Sequence, residues 1–237
     1  MNLLIIYKTE MVSENEVVIT GKRVDHLREI LDAKKGTVVR SGLFNGKKGT
    51  AEIVEIDEKK AVLKTSFTEL PEPKIPLTVI IGLCRPKVIS RLISDLTTYG
   101  VKRIDIIQTY YGDKGYWAND IFTPSGLEEC IVKGLEQSMD TVPPRINLIK
   151  RFGPYSNDVL PQLISSDSKG FVCSPTASEN LKTITKGTEN VIAIGPERGF
   201  TKYELSQFIN AGFEPAALGS RILRTESAVH VAVARFI

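Results

Sequence analysis

The chain has 237 residues, 42% apolar and 25% charged, with a net charge of +3, which suits a soluble protein holding one large domain or a small and a medium one and argues only faintly for a polyanionic partner. Three widely spaced cysteines (Cys84, Cys130, Cys173) read as reduced thiols rather than a disulfide or zinc set, and with two distant histidines they speak against metal chemistry. No apolar run reaches membrane-spanning length and the residues after Tyr7 are too polar for a signal peptide, so the expected location is the cytoplasm.

Leu3–Tyr7 and Val17–Ile19 are short strand candidates rich in Ile, Leu and Val. Gly21 to Lys35 reads as a basic helix with Val24, Leu27 and Leu31 on one face and Lys22, Arg23, His26, Arg28, Lys34 and Lys35 supplying charge. Such a run is either a solvated face or an RNA contact. Thr37–Arg40, Gly49–Ile56 and Ala61–Phe67 read as strands, with hairpin turns at Asn45-Gly46 and Asp57–Lys60. This density of short strands predicts a small β-barrel over residues 1–70. Pro71, Pro73 and Pro76 then remove amide donors and favour extended backbone, so the domain boundary is expected between residues 70 and 77.

From residue 77 onward strands and helices alternate, the pattern of an α/β domain with a largely parallel sheet. Strands are expected at Leu77–Gly82, Ile104–Ile107, Arg145–Ile149, Phe171–Cys173, Val191–Ile194 and Ala216–Leu218. Helices are expected at Val88–Tyr99, Ser125–Ser138, Asp158–Ile164 and Ser227–Phe236, the last apolar on nearly every side. Another helix follows Thr201, which with Glu204 has capping-box spacing. Leu205, Phe208 and Ile209 form its apolar stripe and Gly212 suits its C′ position. The aromatic stretch Tyr110 to Trp117 is compatible with base stacking or with packing onto the following helix.

Two of these strands end in glycine-bearing loops, Gly195-Pro196-Glu197-Arg198-Gly199-Phe200 and Gly219-Ser220-Arg221-Ile222-Leu223-Arg224-Thr225-Glu226. Glycines let backbone amides approach a ligand, and Ile222 and Leu223 offer apolar surface at the same rim, so a ligand site at the carboxyl edge of a parallel sheet is one reading. Simple chain reversal is the other. A dinucleotide fold is disfavoured, because no Gly-x-Gly-x-x-Gly follows a strand and no phosphate loop occurs.

The pair Ile194-Gly195-Pro196-Glu197-x-Gly199-Phe200 and Leu218-Gly219-x-Arg221-Ile222-Leu223-Arg224-Thr225-Glu226-x-Ala228 closely resembles the signature of the SPOUT-type RNA methyltransferases. Within them it resembles the family that methylates N3 of a uridine in bacterial 16S ribosomal RNA. The resemblance implies an α/β fold whose C-terminal SPOUT-type domain, residues 77–237, carries a trefoil knot, beside an N-terminal PUA-like barrel that binds RNA. It implies S-adenosyl-L-methionine as cofactor, the small ribosomal subunit as partner, and a homodimer. The cofactor is expected among Cys173, Ser174 and Pro175; Ile194, Gly195, Pro196, Glu197 and Gly199; and Leu218, Gly219, Ile222, Leu223, Arg224 and Thr225. Arg224 is the candidate catalytic cation, stabilising charge on the base, unless it is paired with Glu226 or Glu197. Lys22, Arg23, His26, Arg28 and Lys87 are the candidate RNA contacts. His230 in the apolar terminal helix is expected to be a hydrogen-bonded core or interface residue.

Several positions depart from the family pattern: Asp32, Thr98, Met139-Asp140, Arg198 and Ser227. Arg198 replaces a glycine. Where that position requires a positive φ, arginine costs on the order of a kcal/mol; alternatively it supplies a new phosphate contact. The departures are compatible with another RNA target or with a non-catalytic RNA-binding dimer.

Overall fold

The computed structural model describes residues 2–181 and 188–237. Its contacts divide the chain into two compact units, Met1–Pro73 with Val132–Pro143, and Lys74–Ile131 with Pro144–Ile237.

The first unit is a six-stranded sheet of β1 (Leu4–Ile6), β2 (Met11–Ser13), β3 (Glu16–Thr20), β4 (Val38–Leu43), β5 (Lys48–Ile56) and β6 (Lys60–Glu69), in the order β1-β4-β5-β6-β3-β2. Only β1 and β4 pair in parallel; the other neighbours are antiparallel. Asn45 takes a φ of 56° in the β4–β5 turn, and Asp57 accepts amides of Lys59 and Lys60 to close the next. Between β3 and β4 lies a single turn of helix, α1 (Lys22–Asp25), continued by a π-turn over His26–Ile30. The wider turn, with the Leu31 amide donating to the His26 carbonyl, rotates Leu31 off the expected apolar face. Leu31 is therefore exposed and Ala33 is buried beside Val24 and Leu27. The helix stops well short of Lys35, because Asp32 adopts a φ of 45°, a conformation aspartate tolerates. Residues 132–143 add to this unit through Thr141, whose carbonyl accepts the Asn45 amide at 2.7 Å.

The second unit begins with β7 (Ile75–Gly82) and α2 (Pro86–Thr98), then β8 (Val101–Ile107), α3 (Pro124–Ser138, whose end belongs to the first unit) and β9 (Arg145–Ile149). There follow α4 (Phe152–Pro154), a π-turn at Tyr155–Val159 and α5 (Leu160–Leu163), then β10 (Ser168–Cys173), β11 (Glu189–Ile194), α6 (Lys202–Asn210), β12 (Phe213–Ala216) and α7 (Thr225–Val233). The helical stretch expected at Asp158 thus starts at Phe152; Pro161, unable to donate an amide, breaks its regularity. All strand pairs are parallel, in the order β12-β10-β11-β7-β8-β9. The final strand lies earlier than expected: Phe213–Ala216 pair with Gly170–Cys173, while Leu218 has left the sheet. As an edge strand β12 accommodates Pro215, the residue that disguised it.

Both faces of this sheet are covered, which is why its strands are near-continuous apolar runs. Val79, Ile81, Ile104 and Ile106 join Ile89, Leu92, Ile93 and Leu96 of α2 and Val229, Ala232 and Val233 of α7 in one core. Ile80, Ile107, Val172, Val191 and Ala193 join Tyr155, Leu160, Phe208 and Phe213 in the other. In α6 the Thr201–Glu204 capping box forms, and Gly212 takes a φ of 93° beyond its end. Phe208 is its main core contact, while Ile209 stands about half exposed on the flank. The terminal helix is less uniformly enclosed than its composition suggested: Ala234 and Arg235 are exposed and His230 is partly so. Among the described residues no helix is long and apolar enough to cross a membrane.

Candidate active site

In a parallel sheet every strand leaves through the same edge, so neighbouring strands bring their exit loops together. The exits of β10, β11 and β12 are adjacent because the sheet order sets β10 between the other two. Cys173, Ser174 and Pro175 leave β10, Ile194 to Gly199 leave β11, and Leu218 to Thr225 lead from β12 into α7. The first and third are stitched directly: Ser174 N–H donates to the Ala216 carbonyl at 2.9 Å, and Leu181 N–H to the Ala217 carbonyl at 2.8 Å. All fourteen predicted cofactor contacts therefore lie on three neighbouring segments of one sheet edge.

The β11 exit is a tight turn seated on the end of β7. Gly199 N–H donates to the Pro196 carbonyl at 2.8 Å and Gly199 takes a φ of 70°. A Cβ on Gly195 would lie 2.8 Å from Gly199 Cα, so that glycine is required by the turn's own closure. A Cβ on Gly82 would lie 2.4 Å from Pro196 Cδ, so the turn also depends on a bare backbone beneath it. Sequence reasoning read Gly82 only as a strand end; the glycine itself was the available signal. Gly195 and Pro196 are buried, whereas Glu197 and Arg198 are exposed.

The β12 exit is open. Gly219 has a φ of 122°, and among the described residues nothing lies within 4 Å of the position a Cβ would occupy. Among the described residues the amides of Leu218, Gly219, Ile222 and Leu223 donate to no backbone carbonyl. Ile222 is 86% exposed, an uncovered apolar surface at the rim. Backbone donors, open room and apolar side chains are what a flat, polar-edged nucleoside needs, so the residues fit such a group.

Arg224 is exposed at the N-cap of α7 and, among the described residues, forms no ion pair. Both expected competitors have other neighbours: Glu226 lies 3.7 Å from Arg91, and Glu197 lies 4.0 Å from Arg85 Nε. Thr225 is buried in the first turn behind it. Cys84, fully buried at the β7 exit, has its thiol pushed up to about 12 by burial, with the charges of Glu197 and Glu226 adding to the effect. Arg85, Arg91 and Cys84 are not site candidates on the sequence alone; Cys84 and Arg85 reach the site because β7 ends beside the β11 turn, and Arg91 because α2 lies against α7.

Arg198 carries no backbone strain, because the positive φ belongs to Gly199. Its guanidinium lies 4.2 Å from the centroid of the Tyr111 ring. Trp117 is packed down, donating to Gln108 Oε1 at 2.7 Å and resting on Phe122. His230 sits 3.0 Å from Asp95 and edge-on to Tyr99, as a hydrogen-bonded residue between α7 and α2.

The candidate RNA contacts are divided between the two units. Lys22 is exposed and Arg28 half-buried on the short helical segment of the first unit. Arg23 is tied inward, bridging to Glu10 and donating to the Ile5 carbonyl at 2.9 Å. His26 is half-buried with Nε2 enclosed and, among the described residues, without a hydrogen-bond partner. Lys87 belongs to the second unit, exposed in the first turn of α2. No cluster of His, Cys, Asp and Glu suited to a metal occurs among the described residues.

Residues 71–237 match the family model described as RNA methyltransferase domain, and the chain belongs to that family. Over 99% of its length it is 28% identical to the ribosomal RNA small subunit methyltransferase E of Treponema pallidum, covering 90% of that protein. It is likewise 28% identical to the ribosomal RNA small subunit methyltransferase E 1 of Borreliella burgdorferi, covering 96% of this chain and 94% of the other. The crystal structure of the Neisseria gonorrhoeae ribosomal RNA small subunit methyltransferase E bound to S-adenosyl methionine superposes with a TM-score of 0.76, at 22% identity over 98% of this chain and 95% of that one. That likeness shows a common fold. The family inferred from the two C-terminal motifs is the family found.

Proposed function

We propose that the protein transfers a methyl group from S-adenosylmethionine to 16S ribosomal RNA of the small subunit, at N3 of a uridine. The observation that carries this reading is the gathering of three loops at one sheet edge, with open backbone at Gly219, in a chain of the RNA methyltransferase family. The relatives named for small-subunit RNA support the substrate, and the neighbour crystallised with S-adenosyl methionine supports the cofactor.

S-adenosylmethionine supplies an electrophilic methyl group on a sulfonium. The protein's own residues hold and orient it. The backbone of Gly195, Pro196, Gly199 and Gly219 offers close polar approach, Ile194, Leu218, Ile222 and Leu223 offer apolar contact, and Cys173, Ser174, Pro175 and Glu197 complete the rim. Neutral uracil N3–H is a poor nucleophile and the ring anion a good one. A cation beside the base therefore lowers the barrier by stabilising charge that develops in the transition state. Arg224, unpaired among the described residues and held at the start of α7, is that cation in this reading.

The C-terminal segment forms a trefoil knot in the same reading. This is supported by the path of the chain, which bonds through Ala216 and Ala217 to Ser174, Glu179 and Leu181 before α7 returns to lie against β11 and α2. The first unit is a PUA-like RNA-binding barrel, with Lys22, Arg28 and His26 on its short helical segment as RNA contacts. Two copies pair through α7 and its surroundings, where Ala228 and Val231 remain only half-buried within one chain.

The deciding experiment is transfer of labelled methyl from S-adenosylmethionine to small subunits lacking the modification, followed by nucleoside analysis. N3-methyluridine is the expected product. Label in another nucleoside would displace the uridine assignment, and no donor binding by calorimetry would remove the enzymatic reading altogether.

A further inference from the structure

The loop that follows β8 treats its aromatic residues in two ways. Trp117 and Phe122 turn into the core, whereas Tyr110 is left 80% exposed. An exposed ring on a loose loop would mean little, but this loop is pinned. The Tyr110 amide donates at 2.8 Å to Glu204, a carboxylate only 2% exposed that also accepts the Thr201 amide at 2.8 Å and hydroxyl at 2.9 Å. The aromatic loop is therefore locked to the same α6 capping box that ends the β11 exit. Gly112 N–H donates to the Thr109 carbonyl at 3.2 Å and the Gln108 amide group donates to the Thr109 and Gly112 carbonyls, each at 2.7 Å, which fixes the turn internally.

On this rigid mount the two tyrosines meet edge to face, with centroids 5.3 Å apart, and the Arg198 guanidinium covers Tyr111 at 4.2 Å. A guanidinium stacked on a ring has its orientation settled in advance while its N–H groups remain free at the rim. Among the described residues Arg198 has no carboxylate partner. An exposed ring beside an oriented, unpaired guanidinium is the combination by which single-stranded nucleic acid is held: a base stacks on the ring and a phosphate meets the cation.

We propose that Tyr110, Tyr111 and Arg198 form a platform for a single-stranded RNA segment next to the methyl-transfer loops, Tyr110 stacking on a base that flanks the target and Arg198 contacting phosphate. The proposal rests on the RNA methyltransferase reading above, and it assigns a substrate-positioning role to three residues that do not themselves hold the donor.

The test is fluorescence anisotropy of the full chain with a fluorescein-labelled, uridine-containing single-stranded oligoribonucleotide, in parallel with calorimetry of S-adenosylmethionine. Tyr110→Ala is expected to weaken RNA binding about tenfold, within the range for loss of one base stack, and Tyr110→Phe to restore it. Arg198→Ala is expected to weaken binding and make its logarithmic salt dependence shallower by about one. Donor affinity stays unchanged in all three. RNA affinities within twofold of wild type for both alanine variants would overturn the platform. So would an equal loss by Tyr110→Ala on a duplex of the same sequence, which offers no free base. Failure of the wild type to bind donor would count against the methyltransferase reading instead, leaving the RNA comparison interpretable.

Discussion

Gly82→Ala tests the cofactor edge from beneath, without touching a residue that would contact the donor. The added methyl would stand 2.4 Å from Pro196 Cδ, 2.7 Å from Pro196 N and 3.1 Å from Gly195 C. Carbon atoms pack best at about 3.5–4.0 Å, so the shortfall is roughly 1.1–1.6 Å. The strand cannot yield, since β7 is held between β11 and β8 with Ile81 opposite Ile194 and Gly82 opposite Ile107. The Gly195-Pro196 turn must move instead, by about an ångström. Overpacking of this kind costs about 1–3 kcal/mol, which for a chain of this size lowers the Tm by about 2–4 °C per kcal/mol. Function should suffer more, because a misplacement of about 1 Å at a reacting centre costs on the order of a hundredfold in rate. Thermal melting, calorimetry of S-adenosylmethionine and single-turnover methyl transfer read the three effects separately. Gly170→Ala is the control for overpacking: three residues before the β10 exit, its methyl would meet the movable Ile164 Cδ1 at 2.4 Å and the Phe213 ring at 3.0 Å, side chains rather than the exit turns, and it should lower the Tm while leaving donor affinity intact. A Gly82→Ala protein that melts lower yet binds donor within twofold of wild type would refute the assignment of the Gly195-Pro196 turn to the site.

Gly219→Val should abolish donor binding while the protein stays folded, because the side chain enters the open space beside the backbone; the φ of 122° adds about 1–3 kcal/mol of strain, read as a lower Tm. Unchanged affinity would remove Gly219 from the site. Lys22→Glu with Arg28→Glu should weaken RNA binding and reduce the logarithmic salt slope by about 0.7–0.9 for each phosphate that is no longer neutralised, and an unaltered slope would move the RNA elsewhere. Arg23 is left out of that variant, since its replacement would break the bridge to Glu10. Cys84 predicts a pH effect. Its folded thiol is pushed up to about 12 from an ordinary 9.0, so its contribution to stability is complete below about pH 9 and is lost as pH rises towards 12. Denaturant midpoints measured across that window should fall more steeply for wild type than for Cys84→Ala; parallel curves would contradict the buried neutral thiol.

Local chemistry wrote much of this protein legibly. Thr201 and Glu204 announced the start of α6 because a capping box needs only two residues of fixed spacing, and Asn45-Gly46 announced a hairpin because the turn demands a residue that tolerates positive φ. Apolar runs marked the parallel strands because both faces of the sheet are covered. The β12 boundary was obscured by Pro215, whose tolerance depends on being at an edge, a property of the assembled sheet. The π-turn at His26–Ile30 was hidden for a related reason: sequence periodicity assumes an α-helical pitch, and a local widening exchanges Leu31 for Ala33 in the core.

The two terminal motifs by themselves determined the family and the segments expected to hold a cofactor. What only the tertiary structure decided is which side chains meet there. Arg91 and Arg85 engage the acids that sequence alone offered to Arg224, Gly82 underlies the β11 turn, and Arg198 finds Tyr111 from a loop 87 positions away by the numbering of the two residues. Motif spacing describes neighbours along the chain, whereas these meetings arise because parallel strands distant in sequence share one sheet edge.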